Sequence, residues 1–304
     1  MLKRQYYYKA AYEKALLAAR CDGAVLIVGE TGVGKEVLAK HIHEQSDRGD
    51  STFVPINCTS ISSALFESEL FGHTKGAFTG AIESMKGLVG TADHGTLFLD
   101  EVSGIPIDLQ VRLLRVIETK EFYRLGDPIP KKADFRLICA SNRALAELRD
   151  GQFIRKDFFY RINTFTIEIP PLRERKDEIP GLADHFLKSS YSHAKLSQGV
   201  LELLLCYPFP GNIRELKSSI EYALSAAGEG ASIINVEHLP ERILDHCGLV
   251  SKNGVPKLKD MLACFSRTYI SQIVKKHDGD INGAAEELGV SRATICRAIV
   301  EKDR

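Results

Sequence analysis

Short apolar runs alternate with helical stretches through the first 170 residues of the chain. The runs at 24–28, 52–57, 95–100 and 135–141 are rich in β-branched and other apolar residues, which is typical of strands buried on both faces of a parallel sheet. The segments at about 6–20, 36–43 and 109–119 have the spacing of helices. This alternation predicts an α/β fold, a parallel sheet flanked by helices.

The pattern becomes helical from residue 179 onward. Pro170 and Pro171 break regular structure before this change and predict a hinge. We therefore predict an α/β domain over 1–172, an all-α lid over 173–246, a linker over 247–257 and a helical C-terminal domain over 258–304. The linker is predicted because it contains glycine and proline and few apolar residues.

Composition narrows the class of protein. The 304 residues are 44% hydrophobic and 26% charged, as in globular proteins that are soluble. Lys and Arg together equal Asp and Glu, 40 each, so any nucleic-acid-binding patch must be local. The apolar runs are too short to span a bilayer, and seven dispersed cysteines favour reduced thiols. We expect a cytoplasmic protein that does not bind membranes.

A glycine-rich segment follows the first predicted strand. It consists of Gly29, Glu30, Thr31, Gly32, Val33, Gly34, Lys35 and Glu36. A strand, a glycine loop, a lysine and a helix in this order predict a phosphate-binding loop. Its N–H groups would surround phosphate oxygens at the helix N-terminus, and Lys35 would reach the β- and γ-phosphates. Glu36 stands where a hydroxyl usually meets Mg²⁺.

Two carboxylates, Asp100 and Glu101, end the apolar run at 95–100. Asp100 can hold Mg²⁺, and Glu101 can polarise the attacking water for hydrolysis. A solvated turn is the alternative, but ligands of open α/β sheets bind at the carboxyl ends of strands. ATP and Mg²⁺ are therefore the expected ligands.

An aromatic residue, Phe78, lies between Gly76 and Gly80. Glycine disfavours the interior of a helix or strand, so the segment is predicted to be a mobile loop with one apolar tip. Loops that expose an aromatic side chain often bind a partner through it. The alternative is a surface turn whose Phe78 folds back into the core.

The segment Gly76, Ala77, Phe78, Thr79, Gly80 and Ala81 resembles, letter for letter, the signature loop of the sigma-54-dependent transcriptional activators. In that family, which has the AAA+ fold, the loop contacts the sigma factor during ATP-driven remodelling of RNA polymerase. Members commonly carry an acidic residue at the position of Glu36. The resemblance covers the chain from about residue 20 to its end and implies a head-to-tail ring, a hexamer in that family.

The same resemblance implies roles for five more residues. Asn57 is similar to the family's switch residue, which holds the catalytic Glu aside; it could also cap the segment after it. Asn142 would sense the γ-phosphate, and Arg214 would reach the nucleotide from the lid. Arg155 and Arg161 resemble the arginine fingers that reach a neighbouring subunit's γ-phosphate, although surface arginines are often only solvated or ion-paired.

The last predicted helices have the pattern of a helix-turn-helix. A glycine at the turn and a serine cap separate them, and the segment resembles the Fis-type DNA-binding domains that end sigma-54 activators. The residues expected to face DNA are Ser291, Arg292, Thr294 and Arg297. A plain helical hairpin is the alternative.

These features together predict an ATP-hydrolysing activator that binds upstream DNA and remodels sigma-54 RNA polymerase. One alternative is a DNA-binding AAA+ regulator whose remodelling target is not sigma-54. Another is a repressor or scaffold whose ATPase-like domain only assembles the protein. Too few residues precede Ala24 for a regulatory domain, so we expect control by a separate regulatory protein, by expression level, or by truncation of a longer chain.

Overall fold

The computed structural model describes residues 9–190, 193–228, 230–247, 266, 269–270, 273–274, 277 and 279–300. The chain divides into two compact units, Met1–Pro171 and Leu172–Arg304, and each is described by itself. Of the predicted linker at 247–257, only Cys247 lies within the described residues.

The first unit contains a five-stranded parallel sheet in the order β2-β3-β6-β1-β7. A separate two-stranded antiparallel hairpin, β4–β5, accompanies it. The strands are β1 Val25–Val28, β2 Phe53–Asn57, β3 Thr96–Asp100, β4 Glu121–Phe122, β5 Lys131–Lys132, β6 Arg136–Ser141 and β7 Phe165–Glu168. The predicted parallel sheet is confirmed.

Helices cover both faces of this sheet. They are α1 Lys9–Ala19, α2 Lys35–Glu44, α3 Ser63–Phe71, α4 Leu88–Thr91, α5 Ile107–Thr119, α6 Leu145–Arg149 and α7 Lys156–Ile162. Successive residues of β1 alternate between the two cores: Val25 and Ile27 pack with α1 and α2, and Leu26 and Val28 with the opposite helices. This alternation explains why the strands have continuous apolar runs.

The parallel register brings the functional segments to one edge. Asn57 pairs with Asp100 at the ends of β2 and β3, and Val28 pairs with Ser141 at the ends of β1 and β6. The residues that follow these strands therefore lie at the same carboxyl edge, where open α/β sheets bind ligands.

The second unit is largely helical. Its elements are α8 Ile179–Ser189, β8 Lys195–Leu196, α9 Gln198–Cys206, α10 Asn212–Ala227, β9 Ile233–Ile234 and α11 Glu241–His246. The all-α expectation was wrong in one detail, because β8 and β9 form a short parallel pair. Two extended connections run side by side there, and their backbone groups bond to each other rather than to water.

Two further helices lie near the C-terminus, α12 Ile281–Leu288 and α13 Arg292–Val300. Gly289 ends α12 with φ +64°, a left-handed conformation that favours glycine and permits the tight turn. Ile270, Ala284 and Ile295 form a small buried cluster. Two helices separated by a short turn lie where the sequence predicts helices, and their assignment as a DNA-binding helix-turn-helix stays a prediction.

In the part of the chain that the structure describes, no helix is long and apolar enough to cross a membrane. Cys58 and Cys139 are buried free thiols. Burial raises the pKa of the Cys58 thiol to about 12, so this thiol is unreactive at neutral pH.

Candidate active site

The glycine-rich segment connects β1 to α2 as a tight loop. The Gly29 N–H donates to the Ser141 carbonyl at 3.1 Å, which fixes the start of the loop to β6. A Cβ atom added at Gly29 would lie 2.8 Å from the Ile169 carbonyl oxygen, so the backbone approach requires glycine. Gly32 and Gly34 have φ values of +81° and +102°. Their left-handed conformations turn the loop around the N-terminus of α2, as phosphate binding requires.

Lys35, the first residue of α2, has its ammonium group inside this loop. Its Nζ donates to the carbonyl oxygens of Gly29 at 2.9 Å and Glu30 at 3.3 Å. It also lies 3.5 Å from Oε1 of Glu101, and its side chain is only 6% exposed. The lysine therefore links the loop to the carboxylate at the end of β3.

Glu101 has an unusual backbone conformation, with φ +53° and ψ +52°. A non-glycine residue in the left-handed region costs about 1–2 kcal/mol, and such strain is often found at functional sites. The turn lets Oε2 of Glu101 accept from the Asn142 N–H at 3.1 Å. The carboxylate is thus held between Lys35 and the end of β6.

Asp100 lies next to Glu101 and accepts the Glu101 N–H at 3.0 Å. Burial and the nearby Glu101 charge raise the pKa of Asp100. Two adjacent carboxylates in a partly buried site favour a divalent cation, which would neutralise them. The glycine cradle, the buried lysine and this acid pair together fit Mg²⁺ and a nucleoside triphosphate.

The two predicted asparagine sensors lie at the same edge. Oδ1 of Asn57 accepts from the Thr59 N–H at 3.0 Å and from the Thr59 hydroxyl at 2.7 Å. In this conformation Asn57 has the capping arrangement, and its switch role stays a prediction. Asn142 contacts Glu101 through its backbone N–H, whereas its side chain is exposed. Its sensing role also stays a prediction.

The two predicted finger arginines lie at the two ends of α7, Arg155 just before the helix and Arg161 in its last turn. The guanidinium of Arg155 donates to Asp157 at 3.1 and 2.8 Å; this pairing lowers the pKa of Asp157. Arg161, in the last turn, donates to the Ile117 carbonyl at 3.3 Å. It lines a cavity of about 130 Å³. Both arginines lie on the surface of the first unit, where a second chain could reach them, and their finger role stays a prediction.

Arg214, the predicted lid residue, is exposed in the first turn of α10. Two hydrogen bonds hold the start of this helix in place. Glu215 accepts the Gly211 N–H at 2.8 Å, and buried Asn212 accepts the Leu172 N–H at 2.8 Å. The lid therefore presents Arg214 from a rigid helix start, and its contact with nucleotide stays a prediction.

The Phe78 loop leaves the core after α3 and is closed at its base. His73 and Met85 exchange backbone hydrogen bonds of 3.1 and 2.8 Å. Thr74 N–H donates to the Leu125 carbonyl at 2.9 Å, in the connection between β4 and β5. This hairpin was not predicted, because its signal in the sequence is weak: a Gly–Asp turn at 126–127 between two short segments.

The tip of the loop is partly exposed. Phe78 is 37% exposed, and its ring packs edge-on against His73 with ring centres 5.0 Å apart. Neither expectation is met in full, because Phe78 lies neither in the core nor wholly in solvent. Local hydrogen bonds, such as Gly76 N–H to Ala81 O at 2.9 Å, close the segment on itself, and its mobility stays a prediction.

Three of the predicted DNA-contacting residues lie at the start of α13, and the fourth, Arg297, lies further along the helix. The Ser291 hydroxyl oxygen accepts from the Thr294 N–H at 3.2 Å, so Ser291 caps the helix. The hydroxyl groups of these two residues lie 2.9 Å apart. Arg292 is exposed, whereas the side chain of Arg297 lies outside the described residues. Their contacts with DNA stay predictions.

Comparison with known families resolves which class of protein carries this site. The family described as the sigma-54 interaction domain matches residues 1–168, more than half of the chain. The chain belongs to the sigma-54-dependent activator family. A second family, the AAA+ ATPase lid domain, matches residues 173–248. The phosphate-loop sheet and the helical segment after it are thus the two parts of a AAA+ domain, and this domain belongs to the ATPase class.

Individual relatives support the family at moderate identity. A protein of Geobacillus stearothermophilus named limonene hydroxylase is 43% identical over 96% of this chain and 55% of its own. The alginate biosynthesis transcriptional regulatory protein AlgB of Pseudomonas aeruginosa is 40% identical over 95% of this chain and 64% of its own. The chain thus spans between about half and two thirds of these relatives.

A solved structure has the same fold. The crystal structure of NtrX from Brucella abortus in complex with ATP matches with a TM-score of 0.76 and 25% identity. The match covers 96% of this chain and 67% of the NtrX chain. ATP binding by NtrX agrees with the fit of the candidate site to a nucleoside triphosphate.

Proposed function

We propose that this chain is an ATP-hydrolysing transcriptional activator that binds upstream DNA, assembles as a ring and opens promoters held by sigma-54 RNA polymerase. One observation carries the proposal: a triphosphate site with a poised carboxylate and a loop with an apolar tip occur on the same α/β unit. Membership of the sigma-54 interaction family supports the choice of partner.

Nucleotide binding begins at the loop of residues 29–36. Its N–H groups and Lys35 bind the phosphates, and Asp100 is the residue that would hold Mg²⁺, with Glu36 beside the loop. When bound, Mg²⁺ would supply positive charge that stabilises the charge developing on the phosphates during hydrolysis. A triphosphate competes with Glu101 for Lys35, whose Nζ lies 3.5 Å from that carboxylate. Phosphate binding therefore loosens Glu101 and lets it polarise the attacking water.

Asn57 and Asn142 sense the γ-phosphate from either side of Glu101, and Arg214 adds a contact from the lid. The strand register places Asn57 directly beside Asp100. A small shift at the γ-phosphate would exchange the Thr59 hydrogen bonds of Asn57 for a contact with Glu101. This exchange would report the state of the nucleotide.

Arg155 and Arg161 act on the site of a neighbouring protomer. Their guanidinium groups stabilise charge that develops in the transition state, an effect of about 10³–10⁵ on the rate when supplied in trans. A finger given to the next subunit requires head-to-tail contacts that close into a ring. We propose a hexamer.

The output is a movement of the loop of residues 76–81 against the sigma factor. The base of the loop is fixed by the His73–Met85 bonds and by Leu125, whereas the space around Gly76 and Gly80 is open. Ala77 and Thr79 flank Phe78 at the tip, and the buried Ala81 ends the segment. Hydrolysis would therefore displace an apolar tip on a fixed base.

The C-terminal helices would bring the ring to its promoter. Arg292 and Arg297, with the capping residues Ser291 and Thr294, are placed at the start and along α13, the helix that would enter the major groove. A separate regulatory protein would control the assembled ring. The name limonene hydroxylase belongs to the Geobacillus protein; a site built from a phosphate loop, a lysine and two carboxylates gives that activity no support.

An in vitro promoter-opening assay tests the proposal. With sigma-54 RNA polymerase, ATP and a matching promoter, the wild-type chain should produce open complexes. Phe78→Ala should hydrolyse ATP at the wild-type rate and lose opening. Ile82→Ala is the matched control, since Ile82 lies just outside the hexapeptide and is 78% exposed; it should retain opening. Open complexes formed by Phe78→Ala would refute the role of the loop, and would favour a remodelling target other than sigma-54.

A further inference from the structure

Gln110, a buried glutamine on α5, joins the catalytic segment to the segment that carries Arg155. It is fully buried, at 0% exposure, on the helix that follows Glu101. Its Nε2 donates to the Ile105 carbonyl at 2.9 Å and to the Phe153 carbonyl at 3.1 Å. Its Oε1 accepts the Arg155 N–H at 2.9 Å.

The amide group of Gln110 is fully used by these contacts. A primary amide has two N–H donors and one oxygen acceptor, and here both donors meet carbonyls and the oxygen meets an N–H. In the opposite orientation of the amide, its NH₂ would face the Arg155 N–H, which is donor against donor, and its oxygen would face two carbonyl oxygens. Among side chains of this size, only glutamine supplies this set of groups.

The three partners belong to two segments that are far apart in sequence. Ile105 ends the short turn that begins at Glu101, since the Gly104 N–H donates to the Glu101 carbonyl at 2.8 Å and the Ile105 N–H to the Val102 carbonyl at 3.2 Å. Phe153 and Arg155 belong to the entrance of α7. Hydrogen bonds and the short backbone segments between them therefore lead from the backbone carbonyl of Glu101 through Gln110 to the backbone N–H of Arg155.

The side chain of Arg155 lies at the surface. It is 43% exposed, and within the described part of the chain its guanidinium pairs with the exposed Asp157. The position of its backbone therefore decides where the guanidinium can reach, and the Gln110 oxygen fixes that position at the N–H. A displacement of about 1 Å in a catalytic group can reduce a rate by about 10²-fold.

We propose that Gln110 is a positioning residue. It holds the backbone of Arg155 where the guanidinium can reach the neighbouring protomer's site, and it joins that backbone to the turn that follows Glu101 in the same protomer. The inference rests on the proposed function, in which Arg155 serves the next protomer. Gln110 itself touches no nucleotide. Its effect should therefore appear in the protomer that donates the arginine and not in the one that receives it.

Mixed rings test this directional effect. A donor chain carries Glu101→Gln, so its own site is inactive and its arginine is intact. An acceptor chain carries Arg155→Ala, so its site is intact and it donates no arginine. Each alone should hydrolyse ATP poorly, and mixing should restore phosphate release, because acceptor sites receive donor arginines.

Gln110→Met is then added to one partner at a time. In the donor, it should reduce the restored rate on the order of a hundredfold. In the acceptor, the restored rate should persist, because the arginine of that chain is already absent. Leu113→Met in the donor is the matched control: Leu113 is a buried residue on the same helix, and this volume-conserving change should leave the restored rate unaltered.

Gln110→Glu covers the case in which Gln110→Met does not fold. It keeps the size of the side chain, but a carboxylate oxygen would then face the carbonyl oxygens of Ile105 and Phe153 with no hydrogen to donate. The contacts that aim the other oxygen at the Arg155 N–H are thereby lost, so the loss in the donor is again expected. Equal loss in donor and acceptor would show a general structural role and overturn the inference, as would full restoration by the altered donor. If the parent mixture restores nothing, the arginine in trans is itself refuted, and the inference falls with it.

Discussion

The candidate active site and the Phe78 loop differ in how their residues are held. In the site, contacts join residues far apart in sequence: Lys35 lies 3.5 Å from Glu101, and Glu101 accepts from Asn142 at 3.1 Å. In the loop, the hydrogen bonds beyond its base join residues that are near in sequence, such as the Ala81 N–H to Phe78 O at 3.0 Å and the Lys75 N–H to Ser84 Oγ at 3.0 Å.

In the proposed function, this difference separates the site of ATP hydrolysis from the segment that moves. Catalytic groups fixed by several strands are preorganised, and they need little rearrangement when charge develops. A segment with few buried contacts can change its conformation at a small free-energy difference. The closed base of the loop, between His73 and Met85, marks the boundary between the rigid part and the part that can move.

The largest expected effect is at the rigid site. Glu101→Gln should reduce ATP hydrolysis by about 10²–10⁴-fold, because the amide cannot take a proton from water, while nucleotide binding persists through Lys35. Phosphate release and binding of a fluorescent nucleotide measure the two properties. Glu147→Gln, at an exposed carboxylate paired with Arg143, is the control and should retain hydrolysis. A Glu101→Gln chain with undiminished hydrolysis would contradict the assignment and would favour a different base.

A second effect depends on pH. Burial and Glu101 raise the pKa of Asp100, so this carboxylate takes up a proton at a higher pH than an exposed aspartate. The protonated form cannot bind Mg²⁺, and the apparent Mg²⁺ affinity should therefore fall as the pH is lowered through this pKa, by up to about tenfold per pH unit.

Mg²⁺ titrations of nucleotide binding at several pH values measure this dependence. Asp100→Asn does not titrate at this position, and its Mg²⁺ affinity should be weak with a smaller pH slope. The nucleotide phosphates titrate in both proteins, so the difference between the two slopes belongs to Asp100. Equal slopes would show that Asp100 does not hold the ion.

A third effect tests the base of the loop. Gly126 has φ +77°, and a Cβ there would lie 2.7 Å from Thr74 Oγ1 and 2.8 Å from Ala77 Cβ. Gly126→Ala should lower the free energy of unfolding by about 1–3 kcal/mol. Gly76 has a similar φ, but no atom lies within 4 Å of the position that a Cβ would take there. Gly76→Ala should therefore lower the free energy of unfolding by only about 1 kcal/mol. Urea unfolding compares the two variants, and equal losses would show that the hairpin does not press on the loop.

The smallest effect concerns the resting position of the tip. Because the chain contains no tryptophan, Phe78→Trp would place a single indole there. Adding His73→Ala removes the ring that packs edge-on against it, a contact of about 0.5–1.5 kcal/mol, and the emission should shift to longer wavelength. His94→Ala, at a largely exposed histidine, is the control. An unchanged emission maximum with His73→Ala would mean that the histidine does not hold the tip.

The sequence predicted which segments lie together where the signal was local. Strand, glycine loop and lysine follow one another within fifteen residues, and the acid pair directly ends a strand, so the parallel arrangement alone implied that they meet. The helix start at Ser291 and the left-handed turn at Gly289 were equally local. Such features depend on backbone conformations that only certain residue types favour.

Contacts between distant segments could not be predicted in the same way. Arg136 opens an apolar strand, and nothing near it indicates that it is buried and donates to the carbonyls of Ala18 and Ala19 at the end of α1. The attachment of Thr74 to Leu125 was missed for the same reason. Gln110 lies beside the apolar residues of α5, and nothing near it in the sequence indicates that it bonds to Phe153 and Arg155.

The sequence by itself determined the parallel α/β sheet, the phosphate loop, the carboxylates after β3 and the apolar tip between glycines, because each follows from residue type and short spacing. Only the tertiary structure decided that Lys35 and Asn142 hold Glu101, that Asn57 bonds to Thr59, and that Gln110 joins Ile105 to Arg155. These contacts depend on how the strands and helices pack, and many pairings are compatible with the same hydrophobic pattern.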